Sequence, residues 1–320
     1  MIGIWFLLMA TGLFKSATKP GMNIRNQARA FLIQTAARLR VDELTLRIQS
    51  RKRSPMGVVV AIHETPPPMA AQFEQQLEWV SKHFTIANLE SFAGLWGNGS
   101  QENSKQNSSR KPLILFTFDD GRESNYTVAA PLLESFGGRG VFFVVPAFAE
   151  CKEDGALAFY RSRINPDSKM GDEKWEDWKP MNPQQIETLA SRGHAIGNHT
   201  LTHERLVGLS DERLEQEIGD GTRKLSAWTH KPVDAFAWTF GSDAIDANAW
   251  NVIQRYHRFC FAPCAGAIDS RSDGPGLLWR REIEVRYTPE EYRFLYSGVG
   301  DMWWRSRRNR LRQALRIDKE

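Results

Sequence analysis

The chain has 320 residues, 41% of them hydrophobic and 25% charged, a globular composition with room for one large domain and extensions. Its formal charge of +4 is small, and the basic residues crowd toward the two ends, where no recognised nucleic-acid-binding module accompanies them. The three cysteines, Cys151, Cys260 and Cys264, form no CxxC pair, and their odd number argues against a disulfide framework.

Residues 2–14 form an apolar run shorter than the roughly 20 residues that a spanning helix needs. No basic stretch precedes it and no small-residue cleavage site follows. Neither a membrane anchor nor a secretory signal is therefore expected, and Met22 is an alternative start. Residues 23–53 read as a basic helix, with Phe31, Leu32, Ala36, Leu39 and Leu46 at helical spacing, packed on the domain or laid on a membrane surface.

From residue 56 onward, short apolar strands alternate with amphipathic helices. Strands are predicted at 57–62, 84–87, 113–118, 141–145, 194–197 and 234–238, and helices at 70–83, 127–136, 183–192 and 211–230. Such alternation predicts an α/β fold of parallel strands joined by crossover helices. Residues 97–111, rich in Gly, Ser, Asn and Gln, read as a solvated loop. Residues 151–180 follow a strand and read as an insertion over the catalytic face, with Trp175 and Trp178 near its end. Residues 301–320 carry Trp303, Trp304 and a run of arginines, the pattern of a solvated basic helix or of one touching anionic lipid. The expected division is an apolar and basic helical extension over 1–55, a catalytic domain over 56–300 and a basic helix over 301–320.

Two segments carry the chemistry. Thr117-Phe118-Asp119-Asp120-Gly121 and His199-Thr200-Leu201-Thr202-His203 each follow an apolar run, which predicts positions at the ends of buried strands. Together they supply two carboxylates and two imidazoles, enough to hold one divalent ion and leave one acid for proton transfer. Adjacent Asp119 and Asp120 repel unless a cation offsets them, although Asp-Asp-Gly also suits a turn. The histidines, four apart, are expected on one side of a helical turn. His63 ends an apolar strand and is expected on the same face, as a catalytic acid or as a structural histidine. His83, His194, His230 and His257 read as structural. The sequence has no GxSxG elbow and no glycine-rich phosphate loop.

With these residues in view, the chain resembles the polysaccharide deacetylases of NodB-homology type, carbohydrate esterase family 4, over roughly residues 56–290. Thr117 to Gly121 matches the first family motif and His199 to His203 the second; Val141 to Pro146 and Arg192 to Asn198 extend the likeness. The resemblance implies a distorted (β/α) barrel with basic helical extensions, Asp119 as general base, and Asp120, His199 and His203 as ligands of a divalent metal. Zinc is the first expectation, with cobalt or nickel as alternatives.

The third motif departs from the family pattern. Phe236 to Gly241 lacks the usual arginine and has Thr239 in the proline position. Only the backbone N–H of Phe240 carries over, as an oxyanion donor. Arg281, in Trp279-Arg280-Arg281-Glu282-Ile283, is then the candidate to orient the base. No histidine follows residue 257, so the general acid falls to His63, as in the circularly permuted biofilm-polymer deacetylases that this chain resembles.

The implied activity is metal-dependent hydrolysis of N-acetyl groups on an amino-sugar polysaccharide, in exopolysaccharide or envelope metabolism. The alternatives are a sugar-binding protein that has lost catalysis and a deacylase of a lipid-linked amino sugar. Trp175, Trp178, Trp238 and Trp279 are candidates to stack on sugar rings, although core packing is the commoner fate of tryptophan. The partner expected is the glycan, with no nucleic acid and with peripheral membrane contact through the basic ends. The expected location is the cytoplasm or the periphery of the inner membrane rather than outside the cell.

Overall fold

Short runs of apolar residues, many of them β-branched or aromatic, dictate the strands, and alternation of side chains decides what each strand face meets. The computed structural model describes residues 33–50, 56–96, 111–166, 179–269, 274 and 276–317. Its strands are β1 (Met56–Ile62), β2 (Thr85–Ile86), β3 (Leu113–Phe118), β4 (Val141–Val144), β5 (Ala195–Asn198), β6 (Ala235–Ala237), β7 (Phe259–Ala262), β8 (Ala267–Asp269) and β9 (Leu277–Glu282).

Seven of them close a parallel barrel in the order β1, β3, β4, β5, β6, β7, β9 and back to β1. β1 has β3 along one edge; its other edge takes antiparallel β8 at Met56 to Val58 and parallel β9 at Val59 to Ala61. β2 lies beside the start of β3, whose end pairs with β4. This is the expected distorted (β/α) barrel. Ile62 pairs with Phe118 and Ala61 with Glu282, so the residues that follow β1 and β3, and the end of β9, come out at one rim.

Alternation separates two cores. Val59, Leu115, Val141 and Phe143 join one cluster, while Val58, Val60, Ile62, Phe116, Phe118 and Phe142 join a second with helix residues Phe73, Leu77, Leu133 and Leu189. Helix Ala70–His83 buries Phe73, Leu77 and Val80, the stripe its spacing predicts. Helix Pro183–Ser191 starts where Asn182 and Gln185 form a reciprocal capping box with Pro183 at the first position.

Some elements differ from their sequence pattern. The basic helix expected over 23–53 is broken, among the described residues, at Leu39 and Arg40; Arg40 takes a left-handed φ of 49° before helix Val41–Ser50. The helix expected over 211–230 contains a π-type segment, Glu215–Asp220, between Asp211–Leu214 and Gly221–Thr229. The run at 127–136 likewise opens as a π-type turn, Asn125–Ala129. Residues 2–14, Trp175 and Trp178, and nearly all of the loop at 97–111 lie outside the described residues. Among the described residues no helix is long and apolar enough to cross a membrane.

The C-terminal segment is tied to the barrel through Arg281, which is fully buried. Its Nε and Nη2 donate to Asp301 at 3.0 and 2.6 Å, and its Nη1 donates to the Tyr296 carbonyl at 2.6 Å. Removing one partner of a buried pair strands the other charge. Asp301→Ala is expected to lower the unfolding free energy by roughly 3 kcal/mol, measured by urea denaturation; a loss under about 0.5 kcal/mol, as for an ordinary surface substitution, would contradict this anchoring.

Candidate active site

Asp119 and Asp120 leave the end of β3 in different directions. The Asp119 N–H continues the ladder to the Ile62 carbonyl at 3.0 Å. Asp120 and Gly121 then take left-handed φ values of 72° and 74°, where Asp is tolerated and Gly is unstrained. A Cβ on Gly121 would also sit 3.3 Å from Val144. The turn reading and the ligand reading of this segment are thus the same structure: the turn aims Asp120 at the histidines.

The histidines are not on a helical turn, as their spacing suggested. They lie in a bend after β5, with Thr200 and His203 at left-handed φ of 63° and 60°. The ladder extends to His199, whose N–H donates to Val144, and the chain then has to double back. Glu217, fully buried in the π-type segment, holds that reversal. Its carboxylate accepts from the Thr202 N–H and hydroxyl at 2.9 and 2.8 Å, and its carbonyl accepts the Leu201 N–H at 2.9 Å. π-type turns recur at functional sites, and this one points both oxygen-bearing groups of one residue at the ligand loop.

Asp120 Oδ1 lies 3.7 Å from His199 Nε2 and 3.6 Å from His203 Nε2, with one ligand atom of each residue within 4.8 Å of the others. His199 Nδ1 donates to the Ala237 carbonyl at 2.7 Å and His203 Nδ1 to the Arg163 carbonyl at 2.6 Å. Burial pushes both imidazoles below their ordinary pKa, His203 to about 4, so they are neutral at pH 7 and their Nε2 atoms present lone pairs. Burial alone would raise the Asp120 carboxyl, but the Arg122 guanidinium, and then the His63, His203 and His199 rings where acid protonates them, outweigh it and hold it at about 2. Three electron pairs therefore converge with no proton among them. That donor set fits a borderline divalent cation, with carbonyls fixing both tautomers from behind.

Asp119 is equally buried, and Arg280 is its partner: Nη1 donates to Asp119 Oδ1 at 2.6 Å and to Thr117 Oγ1 at 3.2 Å. Burial opposes ionisation of Asp119, yet the Arg280 guanidinium wins and keeps its carboxyl below the usual range. The expectation that Arg281 orients this residue is therefore corrected. Successive residues of β9 face opposite sides, so Arg280 turns into the barrel and Arg281 out toward Asp301.

His63 stands at the same rim, 41% exposed at its side chain, with Nε2 3.9 Å from Asp119 Oδ2 and Nδ1 3.9 Å from Glu282 Oε1. Phe240 has a left-handed φ of 61° and packs its ring 4.8 Å from that of His203. Thr239, in the position where the resemblance expects proline, is buried and donates its hydroxyl to the Glu204 carbonyl at 2.8 Å, which ties the Phe240 turn to the histidine loop. These groups line one cavity of about 570 Å³, with Trp238 in its wall. Trp279 does not reach it: it is buried in the core with Arg312 5.1 Å above its ring. His194 and His257 are structural, bonded to Glu134 and Thr222 respectively.

Three residues at the site went unread in the sequence. Arg122 donates to Asp120 Oδ2 at 3.3 and 3.2 Å and to Glu64 at 3.0 Å; its position two residues after Asp120 was the available signal. Arg280 was hidden by its neighbour Arg281. Glu217 lay inside an ordinary helical pattern. If Glu217 positions the ligand loop, Glu217→Gln and Thr202→Ala should each weaken zinc binding by about 10–100-fold in a chelator competition titration, with the circular dichroism spectrum retained. Unchanged affinity in both variants would remove Glu217 from this role.

Residues 106–258 match the family described as polysaccharide deacetylase. A peptidoglycan-N-acetylglucosamine deacetylase of Bacillus cereus is 27% identical over 126 residues, covering 39% of this chain and 45% of that protein. The chain thus spans less than half the length of the curated relatives it matches. Among solved structures, Streptococcus pyogenes deacetylase PplD in complex with acetate superposes with a TM-score of 0.56 at 17% identity, over 77% of this chain and 99% of that one. IcaB from Ammonifex degensii gives 0.52 at 18% identity, over 77% and 97%. At these identities the superpositions establish a shared fold. The motifs, the closed parallel barrel and the matched family agree: this chain carries a polysaccharide deacetylase domain of the NodB-homology type.

Proposed function

We propose that the protein hydrolyses N-acetyl groups from an amino-sugar polysaccharide. The observation that carries this reading is the placement of a buried, arginine-held carboxylate, Asp119, beside a separate carboxylate and imidazole cluster in one cavity. The named activity of the Bacillus cereus relative supports it. A divalent transition ion, zinc first, held by Asp120, His199 and His203, would polarise the acetyl carbonyl and acidify the attacking water.

The chain's own residues account for the proton movements. Arg280 occupies Asp119 Oδ1 and keeps the group ionised, which leaves Oδ2 to take a proton from the attacking water. The water oxygen bonds to the acetyl carbon and the carbon–nitrogen bond breaks. His63, whose Nε2 is 3.9 Å from Asp119 Oδ2, reaches the same region and delivers a proton to the departing nitrogen. The products are acetate and a free amine. The Phe240 N–H, from the turn fixed by Thr239, is the donor assigned here to steady the carbonyl oxygen as it gains charge.

Acetate release from an N-acetylated glucosamine oligomer tests this directly. Asp119→Asn should lose about 10²–10⁴ in kcat, the usual share of a general base. Arg280→Gln should lower kcat more than it raises KM, because it acts through Asp119 rather than on the sugar. Chelation should abolish turnover and added zinc restore it. Binding of the oligomer without acetate release, in zinc-loaded wild-type protein, would favour a sugar-binding protein instead.

A further inference from the structure

The C-terminal arginine helix does not stand clear of the domain: Trp304 and Arg307 line the same cavity as Asp119 and His203. Helix Arg305–Ala314 carries arginines at 305, 307, 308, 310 and 312 and no acid. Arg308 Nη1 donates to the Asp301 carbonyl at 3.0 Å and also bonds the Ala265 carbonyl, and Asp301 is itself held by buried Arg281, so the helix is fixed against the rim. Arg307 is oriented by its neighbours. Its Nε donates to Ser242 Oγ, and its guanidinium sits 5.5 Å over the Trp304 ring.

The charge balance of the cavity singles this residue out. Four arginines line it, and three have a carboxylate partner: Arg122 with Asp120 and Glu64, Arg280 with Asp119, and Arg286 with Glu284. Arg307 has none within ion-pair distance among the described residues. A half-buried guanidinium with terminal donors to spare suits an anion that presents two adjacent oxygens, a carboxylate or a phosphate, which it can bind through two hydrogen bonds. Trp304, packed against the core with this guanidinium over its ring, adds an apolar wall beside the cation.

From this arrangement we infer that Arg307 and Trp304 form a subsite for an anionic group on the glycan, so that the protein acts on a negatively charged amino-sugar polymer in preference to a neutral one. The inference rests on the deacetylase reading for the acetylated sugar, but the subsite is defined by binding. The helix whose sequence suggested a solvated basic segment or one touching lipid then forms part of the substrate cleft.

The test uses three N-acetylated oligosaccharides of equal length: one neutral, one with a carboxylate on a neighbouring sugar, and one with a phosphate monoester there. Calorimetry gives Kd and acetate release gives kcat/KM for each with the full-length, zinc-loaded protein. Wild type should favour one anionic oligomer over the neutral one by about tenfold or more, the scale of a charge-assisted bidentate contact. Whether carboxylate or phosphate leads identifies the source of the anion. Arg307→Gln should erase that preference and Arg307→Lys keep part of it. No preference in wild type, or a preference unchanged in Arg307→Gln, overturns the inference. If the preference follows Arg307 while no acetate appears, the subsite stands and the deacetylase reading fails.

Discussion

Two adjacent carboxylates are buried at the end of β3, and the surrounding structure keeps both of them ionised. Asp119 and Asp120 line one cavity and would repel each other in a low dielectric if they shared a single counter-charge. The left-handed turn at Asp120 and Gly121 sends them to different partners: Arg280 from β9 holds the first, Arg122 and the neutral imidazoles surround the second. Each carboxylate thereby has its own counter-charge and its own use. One can accept a proton while the other can serve as a ligand.

This separation is built from backbone that the chain would not adopt alone. Of the seven non-glycine residues at positive φ among the described residues, Asp120, Thr200, His203 and Phe240 belong to the site. Each such residue costs free energy unless its neighbours determine it. Here they do: Glu217 ties down Leu201 and Thr202, the Thr200 hydroxyl accepts the Glu204 N–H at 3.2 Å, and Thr239 binds the Glu204 carbonyl. The hydrogen bonds run continuously from the π-type segment through the histidine loop to the Phe240 turn. Thr239 in the proline position is therefore a different means of fixing that turn.

The arginines show the same economy of placement. Those on strands or turns inside the barrel are matched to carboxylates, whereas the C-terminal helix brings cationic side chains to the rim from outside. Arg281, facing outward from β9, joins the two regions by gripping Asp301 and the Tyr296 carbonyl. A single dipeptide, Arg280-Arg281, thus serves the site with one residue and anchors the wall of the cavity with the other.

Local pattern was sufficient for β1 to β6, for the main helices up to residue 230 and for the motifs Asp119-Asp120 and His199 to His203, because strand alternation, helical spacing and turn chemistry act between near neighbours in the chain. The last three strands, two of which close the barrel, and the helices Ala247–Tyr256 and Pro289–Ser297 went unread. It placed His63 at the end of β1 for the same reason. Which of Arg280 and Arg281 faces inward depends on how β9 seats between β7 and β1, and β1 lies some two hundred positions away in the chain. The bend at the histidines and the part played by Glu217 depend on a loop and a helix meeting in space. The position of Trp304 and Arg307 depends on where the last helix docks. Sequence determined the residues able to do chemistry; barrel closure alone decided which of them face one another, since only long-range packing sets the direction of a buried charge.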